Sequence, residues 1–150
     1  MTSGSKTERI SKLVLDTSAY SRFRARDFRV RDLIAEADTV LIPAAVLGEL
    51  HGGFEVGSRG RENRQALAEF LEEPFVAVID ADASVARHYG RVYAALRRAG
   101  RPIPTNDIWI AASAIDRGGC LLTFDHDFDH VAGLDRLTLD GIPAEDVGTD

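Results

Sequence analysis

Five short apolar runs punctuate this chain: KLVL from Lys12, TVLI from Thr39, FVAVI from Phe75, CLLTF from Cys120 and RLTL from Arg136. Between them, apolar residues recur at helical spacing. Short strands alternating with helices imply βαβ units. The expected fold is therefore α/β, a three-layer arrangement with a mostly parallel central sheet and helices on both faces.

The helical segments can be placed from their periodicity and stop signals. Thr17 and Ser18 can cap a helix after the first strand. Residues 27–37 carry Phe28, Val30, Leu33, Ile34 and Ala37 near helical spacing. Pro43 suits the first turn of a helix bearing Val46, Leu47 and Leu50, which is expected to loosen at Gly52 and Gly53. Residues 61–72 repeat the amphipathic pattern up to Pro74. A long helix over 83–99 stops at Gly100. Thr105 or Asn106 then caps a helix whose run IWIAASAI is apolar nearly all round, so it should be deeply buried. Residues 1–11 read as a flexible leader, 12–139 as the domain and 140–150 as a polar tail.

At 150 residues the chain fits one domain with a full hydrophobic core. No apolar stretch approaches the roughly 20 residues that span a bilayer, and the start MTSGSKTERISK lacks the apolar region of a secretory signal. The single Cys120 heads the run CLL and reads as a small buried hydrophobe rather than a nucleophile. A cytoplasmic location and no membrane partner are expected. The net charge of −6 is unevenly spread: residues 1–31 carry eight Lys and Arg against three acids, and residues 121–150 carry eight acids against Arg136 alone. Arg22, Arg24, Arg26, Arg29 and Arg31 are either a solvated helical face or a phosphate-contacting rim beside an acidic centre.

Four acids stand where an apolar chain disfavours them: Asp16 in LVLDTSAY, Glu49 in AAVLGELHGGF, Asp107 in PTNDIWIAAS and Asp125 in CLLTFDHDF. Gathered carboxylates repel, and one takes up a proton unless something positive lies between them. A hard divalent cation such as Mg²⁺ is the natural partner, because it prefers carboxylate oxygens and keeps water for chemistry. In open α/β sheets, ligands bind beyond the carboxyl ends of the strands. Asp16 ends the first strand, Asp125 follows the fourth, Asp107 opens a helix and Glu49 lies in the helix after the second strand. All four can converge on that edge.

Each acid also has a plainer reading. Asp16 can be a helix cap, and Asp107 is favoured in a first turn by the helix dipole. Glu49 sits among Val46, Leu47 and Leu50, where a buried carboxylate needs a partner. Asp125, Asp127 and Asp129 alternate as in a calcium loop, but His130 and Arg136 stand where an EF-hand needs Gly and Glu. His126 and His130 have helical zinc spacing without a third ligand and read as surface residues. Trp109, Phe124 and Phe128 read as core packing. No phosphate-binding glycine loop or serine nucleophile elbow is present.

The ordered set resembles the PIN-domain ribonucleases, in particular the VapC-type toxins of bacterial toxin–antitoxin pairs. VLDTSAY, VLGEL, PTNDIWIAA and LLTFDHDF are similar to that family's four motifs, over residues 12–139. The resemblance implies that Asp16, Glu49, Asp107 and Asp125 are the catalytic metal-site acids. Asp127 would assist them, and Ser18 and Thr123 would support the site. It implies hydrolysis of RNA with one or two Mg²⁺ ions, Mn²⁺ being able to substitute, and Glu49 either holding metal or orienting water. Arg22, Arg24, Arg26 and Arg29 would contact RNA. It further implies a VapB-type antitoxin partner and a homodimer, the latter helped by Phe54 and Val56.

Two other readings compete for these residues. A phosphatase or phospho-acceptor domain would use Asp16 as nucleophile. Haloacid-dehalogenase phosphatases, however, carry a second Asp where Ser18 stands, and receiver domains need an acidic pair and a late Lys that are missing. An inactive partner-binding scaffold would need no metal at its acids.

Overall fold

A computed structural model of the chain describes residues 9–141. Most of the expected leader and the expected tail beyond 141 lie outside the described residues. At the start of the described chain, Arg9 pairs with Asp38 at 3.0 Å and Ile10 packs against the core.

Among the described residues, five strands form one wholly parallel sheet in the order β3-β2-β1-β4-β5. They are β1 (Lys12–Leu15), β2 (Thr39–Pro43), β3 (Val76–Ile79), β4 (Cys120–Thr123) and β5 (Arg136–Thr138). Strand β1 is central, and Leu13, Val14 and Leu15 are wholly buried there, as a strand covered on both faces requires. Leu13 is in register with Val40 of β2 and with Cys120 of β4. The chain builds β1, β2 and β3 outward in one direction and then crosses back to lay β4 and β5 on the other side. The order reverses between β1 and β4, and the crevice beyond their carboxyl ends is the expected binding position.

Among the described residues, six helices cover the two faces: α1 (Thr17–Arg24), α2 (Phe28–Glu36), α3 (Ala44–Val56), α4 (Gly60–Leu71), α5 (Ala83–Ala99) and α6 (Thr105–Arg117). A 3₁₀ helix (His126–His130) follows β4. Asp16 caps α1 and Asp27 caps α2 through bonds from Ala19 and Arg29 backbone N–H groups. Helix α6 is the buried one, with Ile108, Ile110, Ala111, Ala112 and Ala114 in the core. Gly118, at φ +65°, closes α6 in the left-handed region. Its neighbour Gly119 lets the chain pass β1: a Cβ there would lie 2.7 Å from Val14 Cγ2.

Helices α5 and α6 pack antiparallel. Ser84 near the start of α5 bonds Asp116 near the end of α6, and the Tyr89 ring lies 4.4 Å from that of Trp109.

Three local expectations are corrected. Gly52 and Gly53 do not loosen α3, which continues to Val56 because its remaining residues sustain the backbone ladder. Pro43 ends β2 and stands as the N-cap of α3, one position before its first turn. Neither Thr105 nor Asn106 caps α6; Pro104 occupies that position without a side-chain bond, and the Asn106 amide is used elsewhere.

Candidate active site

The crevice between β1 and β4 is organised by Asp16. It follows β1 directly, and its N–H donates to Leu122 O of β4 at 3.3 Å. Only 4% of Asp16 is exposed. Its Oδ1 accepts from Ser18 Oγ at 2.7 Å and from Ala19 N at 2.8 Å, and its Oδ2 accepts from Thr123 Oγ1. The same Thr123 hydroxyl accepts from Asp125 N at 2.9 Å, and Ser18 Oγ accepts from Phe124 N at 3.0 Å. Two hydroxyls thus lock the end of β1 to the end of β4.

Around this anchor lies a cleft of about 510 Å³ lined by Asp16, Thr17, Ser18, Glu49, Asp107, Ile110 and Asp125. Glu49 reaches it from α3. Its Oε1 accepts from Thr17 Oγ1, and its Oε2 accepts from Asn106 Nδ2 at 3.1 Å. Asp107 reaches it from the first turn of α6. Asp125 caps the 3₁₀ helix by accepting from Asp127 N at 2.9 Å, which turns Asp127 toward the same space. Carboxylate oxygens of Asp107, Asp125 and Asp127 lie within 4.8 Å of one another.

No cation among the described residues lies in ion-pair contact with Asp16, Glu49, Asp107, Asp125 or Asp127. Two unit charges 4.8 Å apart repel by about 3–4 kcal/mol at an effective dielectric of about 20. The consequence appears at Asp107. Partial burial, reinforced by the charges of Asp125, Glu49, Asp127 and Asp16, pushes its pKa up to about 6. Burial also raises Asp16, against the opposing pull of its bonds from Thr123, Ala19 and Ser18. The cleft is an all-oxygen anionic donor set with unbalanced charge.

Residues 13–134 match the family model described as "PIN domain". The chain belongs to the PIN domain family. Among the relatives of this PIN domain is the tRNA(fMet)-specific endonuclease VapC of Shigella flexneri, 34% identical over 94 residues, covering 62% of this chain and 70% of that one. Ribonuclease VapC5 of Mycobacterium tuberculosis is 30% identical over 120 residues, covering 80% and 87%. Among solved structures, VapBC2 from Rickettsia felis bound to a promoter DNA fragment aligns with a TM-score of 0.74 and 25% identity. That alignment covers 86% of this chain and 99% of the other.

In this PIN domain the four acids singled out in the sequence line one cleft, and Asp127 offers a carboxylate oxygen within 4.8 Å of those of Asp107 and Asp125. Thr17 and Asn106 were missed as partners of Glu49. The signal lay in their chain positions, each adjacent to a site acid, but both also read as ordinary helix-start residues. Asp27 was missed too. It is almost fully buried and receives Arg29 through Nε at 3.1 Å and Nη2 at 2.8 Å, with Arg22 at 3.7 Å. That pairing holds the Asp27 carboxyl below its ordinary range.

The basic residues of α1 and α2 divide accordingly. Arg22 and Arg29 stand over the Phe124 ring, their guanidinium carbons 4.7 and 5.5 Å from its centre. Arg24 and Arg26 are exposed. His126 and His130 do not share a face, because residues four apart are about 120° apart in a 3₁₀ helix. His126 Nδ1 instead contacts Asp129 Oδ2 at 2.9 Å, and Asp129 also accepts from Arg136 and Thr138. Trp109 and Phe124 pack against the core and Phe128 lies within it. Cys120 is half-buried, and burial raises its thiol pKa, as an inert packing role requires.

Proposed function

We propose that this PIN domain is the ribonuclease toxin of a toxin–antitoxin pair. It hydrolyses RNA phosphodiester bonds with a divalent metal held in the acidic cleft. The observation that carries this reading is the convergence of Asp107, Asp125 and Asp127 within 4.8 Å, with no ion-pair partner for them among the described residues. The donors suit the metal: all are carboxylate oxygens, which Mg²⁺ and Mn²⁺ prefer, and the pKa of Asp107, raised to about 6 by burial and then by the neighbouring acids, is one that a bound cation would lower.

Asp107, Asp125 and Asp127 would be the closest ligands. Asp16 has one Oδ2 lone pair free after accepting three hydrogen bonds, so it would serve as a fourth ligand or through water. When bound, the metal would lower the pKa of a water and offset charge on the phosphoryl group under attack. Glu49, held by Thr17 and Asn106 at the cleft wall, would orient the attacking water and accept its proton. Ser18 is committed to Asp16 and Phe124, so a serine nucleophile gains no support. Asp16 is nearly inaccessible and triply bonded, which argues against an aspartyl-phosphate mechanism.

The endonuclease and ribonuclease relatives support RNA as substrate, and the VapBC complexes of similar fold support a VapB-type antitoxin. An antitoxin arginine would replace the metal's charge in the cleft through bidentate bonds. Val56, 89% exposed at the end of α3, would contribute to a homodimer. Among the described residues, no helix is long and apolar enough to cross a membrane, consistent with a cytoplasmic toxin. Inducing the wild-type chain and Asp107→Asn in bacteria, with growth and RNA ends followed together, tests this reading. Growth arrest with new 5′-phosphate ends only in the wild type is expected. Equal arrest by both, without new ends, would overturn it.

A further inference from the structure

Between Ala83 and Asn106 the chain carries five arginines and no acid, within a protein whose net charge is −6. Arg87, Arg91, Arg97, Arg98 and Arg101 are all exposed. None meets a carboxylate among the described residues, whereas Arg29, Arg59 and Arg136 each do. An exposed helix kept only for solubility gains from acids placed four residues from its bases. Arg87 and Arg91 stand four apart with like charge, which costs about 0.2–0.5 kcal/mol. The arrangement works against the isolated helix and suits an external polyanion.

The same helix carries an aromatic pile. Trp109 meets Tyr89 at 4.4 Å, and Tyr89 stacks on Tyr93 at 6.2 Å with planes 9° apart. Arg97 ends the pile, its guanidinium 5.7 Å from the Tyr93 ring centre and its Nη1 donating to Tyr93 Oη at 3.1 Å. Tyr93 is 43% exposed, so the outer end of the pile is open to solvent. Nucleobases stack both on aromatic rings and on guanidinium planes.

Position ties this surface to the cleft. Because α5 and α6 are antiparallel, one turn forward from Tyr89 to Tyr93 corresponds to one turn back from Trp109, about 5.4 Å along the axis. The exposed end of the pile therefore lies level with the first turn of α6, which carries Asn106 and Asp107. From these observations we infer that α5 and the turn after it bind single-stranded RNA leaving the cleft. A base stacks on the Tyr93–Arg97 pair and phosphates run along Arg97, Arg98 and Arg101. The inference rests on the ribonuclease reading and extends it to a subsite outside the acidic cleft.

The test is fluorescence anisotropy of a labelled 12-nucleotide single-stranded RNA with the full chain in EDTA, across a salt series. Tyr93→Ala should weaken binding about tenfold, and Tyr93→Phe should not, because the aromatic face is what stacks. Arg97→Gln with Arg98→Gln should lower the slope of log affinity against log salt by about 1.4. Arg61→Gln, an exposed arginine on α4, should leave the slope unchanged. With Mg²⁺ present, the α5 variants should keep kcat and raise KM. Wild-type affinity and slope in the α5 variants would overturn the inference, as would an equal loss per arginine in Arg61→Gln. So would binding of a polyglutamate peptide in place of RNA, which would make α5 a face for an acidic protein. If RNA binds through α5 but none is cleaved in Mg²⁺, the ribonuclease reading fails alone. If RNA is cleaved while the α5 variants bind normally, the α5 inference fails alone.

Discussion

Thr123 and Asp16 are joined across neighbouring strands by one hydroxyl, which donates to the Asp16 carboxylate and accepts from the Asp125 backbone at 2.9 Å. Both residues are buried, so no water can replace that hydroxyl when it is removed. Thr123→Val keeps the shape and leaves a buried carboxylate short of a donor. We expect a stability loss of about 1–3 kcal/mol, a lower kcat and a nearly unchanged KM. Thr123→Ser should restore both stability and rate. Thermal melts and steady-state cleavage check this; a Val variant with wild-type kcat would remove Thr123 from the site.

Asp107 should destabilise the metal-free fold as it ionises. Its pKa is raised to about 6 in the folded protein, so between the ordinary carboxylate range and pH 6 the folded chain binds more protons than the unfolded one. Stability therefore falls as pH rises through that window and levels off above it. At this half-exposed carboxylate, solvent screening leaves an effect of about 1 kcal/mol. Asp107→Asn should melt higher than the wild type at pH 7.5 in EDTA, with the gap closing toward pH 4.5. Identical pH dependence in the two proteins would contradict the charge crowding inferred for the cleft.

The arginines of α1 and α2 should separate into two kinds. Arg29→Ala removes the bidentate partner of buried Asp27 and one of the guanidinium groups over Phe124, at a cost of about 2 kcal/mol in melts. Arg26 sits at φ +67°, a conformation that disfavours side chains, so Arg26→Gly should stabilise the chain by about 1 kcal/mol. If Arg24 and Arg26 touch RNA phosphates, Arg24→Ala with Arg26→Gly should nonetheless weaken RNA binding and lower its salt slope by about 1.4. An unaltered slope would make them a solvated face.

The legible parts of this protein are those written locally. Asp16 and Asp125 stand at the ends of apolar runs, and Asp107 opens a helix, so strand and helix boundaries alone brought them to one edge. Glu49 was visible because it breaks an apolar helix face. The partners of Glu49 were not: Thr17 and Asn106 can each cap a helix, and only the packing of α3 against α1 and α6 decides that they bond the carboxylate instead. Asp127 is brought beside Asp125 and Asp107 by the 3₁₀ geometry after Asp125, which residue spacing does not encode. Arg22 and Arg29 meet at Phe124 across about a hundred residues of sequence. The acid-free run of α5 is plain in the sequence, yet its meaning depends on which end of α5 lies beside Asp107.

The most direct test of the account is the single-turnover cleavage rate of a labelled single-stranded RNA by purified wild type and Asp107→Asn, titrated with Mg²⁺ at pH 7.5. The wild-type rate should rise with Mg²⁺, vanish in EDTA and leave 5′-phosphate ends. The Asn variant, folded by its melting curve, should fall about a hundredfold or more, since losing even a residue that only supports a ligand costs about 10–100-fold. Cleavage by Asp107→Asn at the wild-type rate, or wild-type cleavage that persists in EDTA, would contradict the metal site in the acidic cleft.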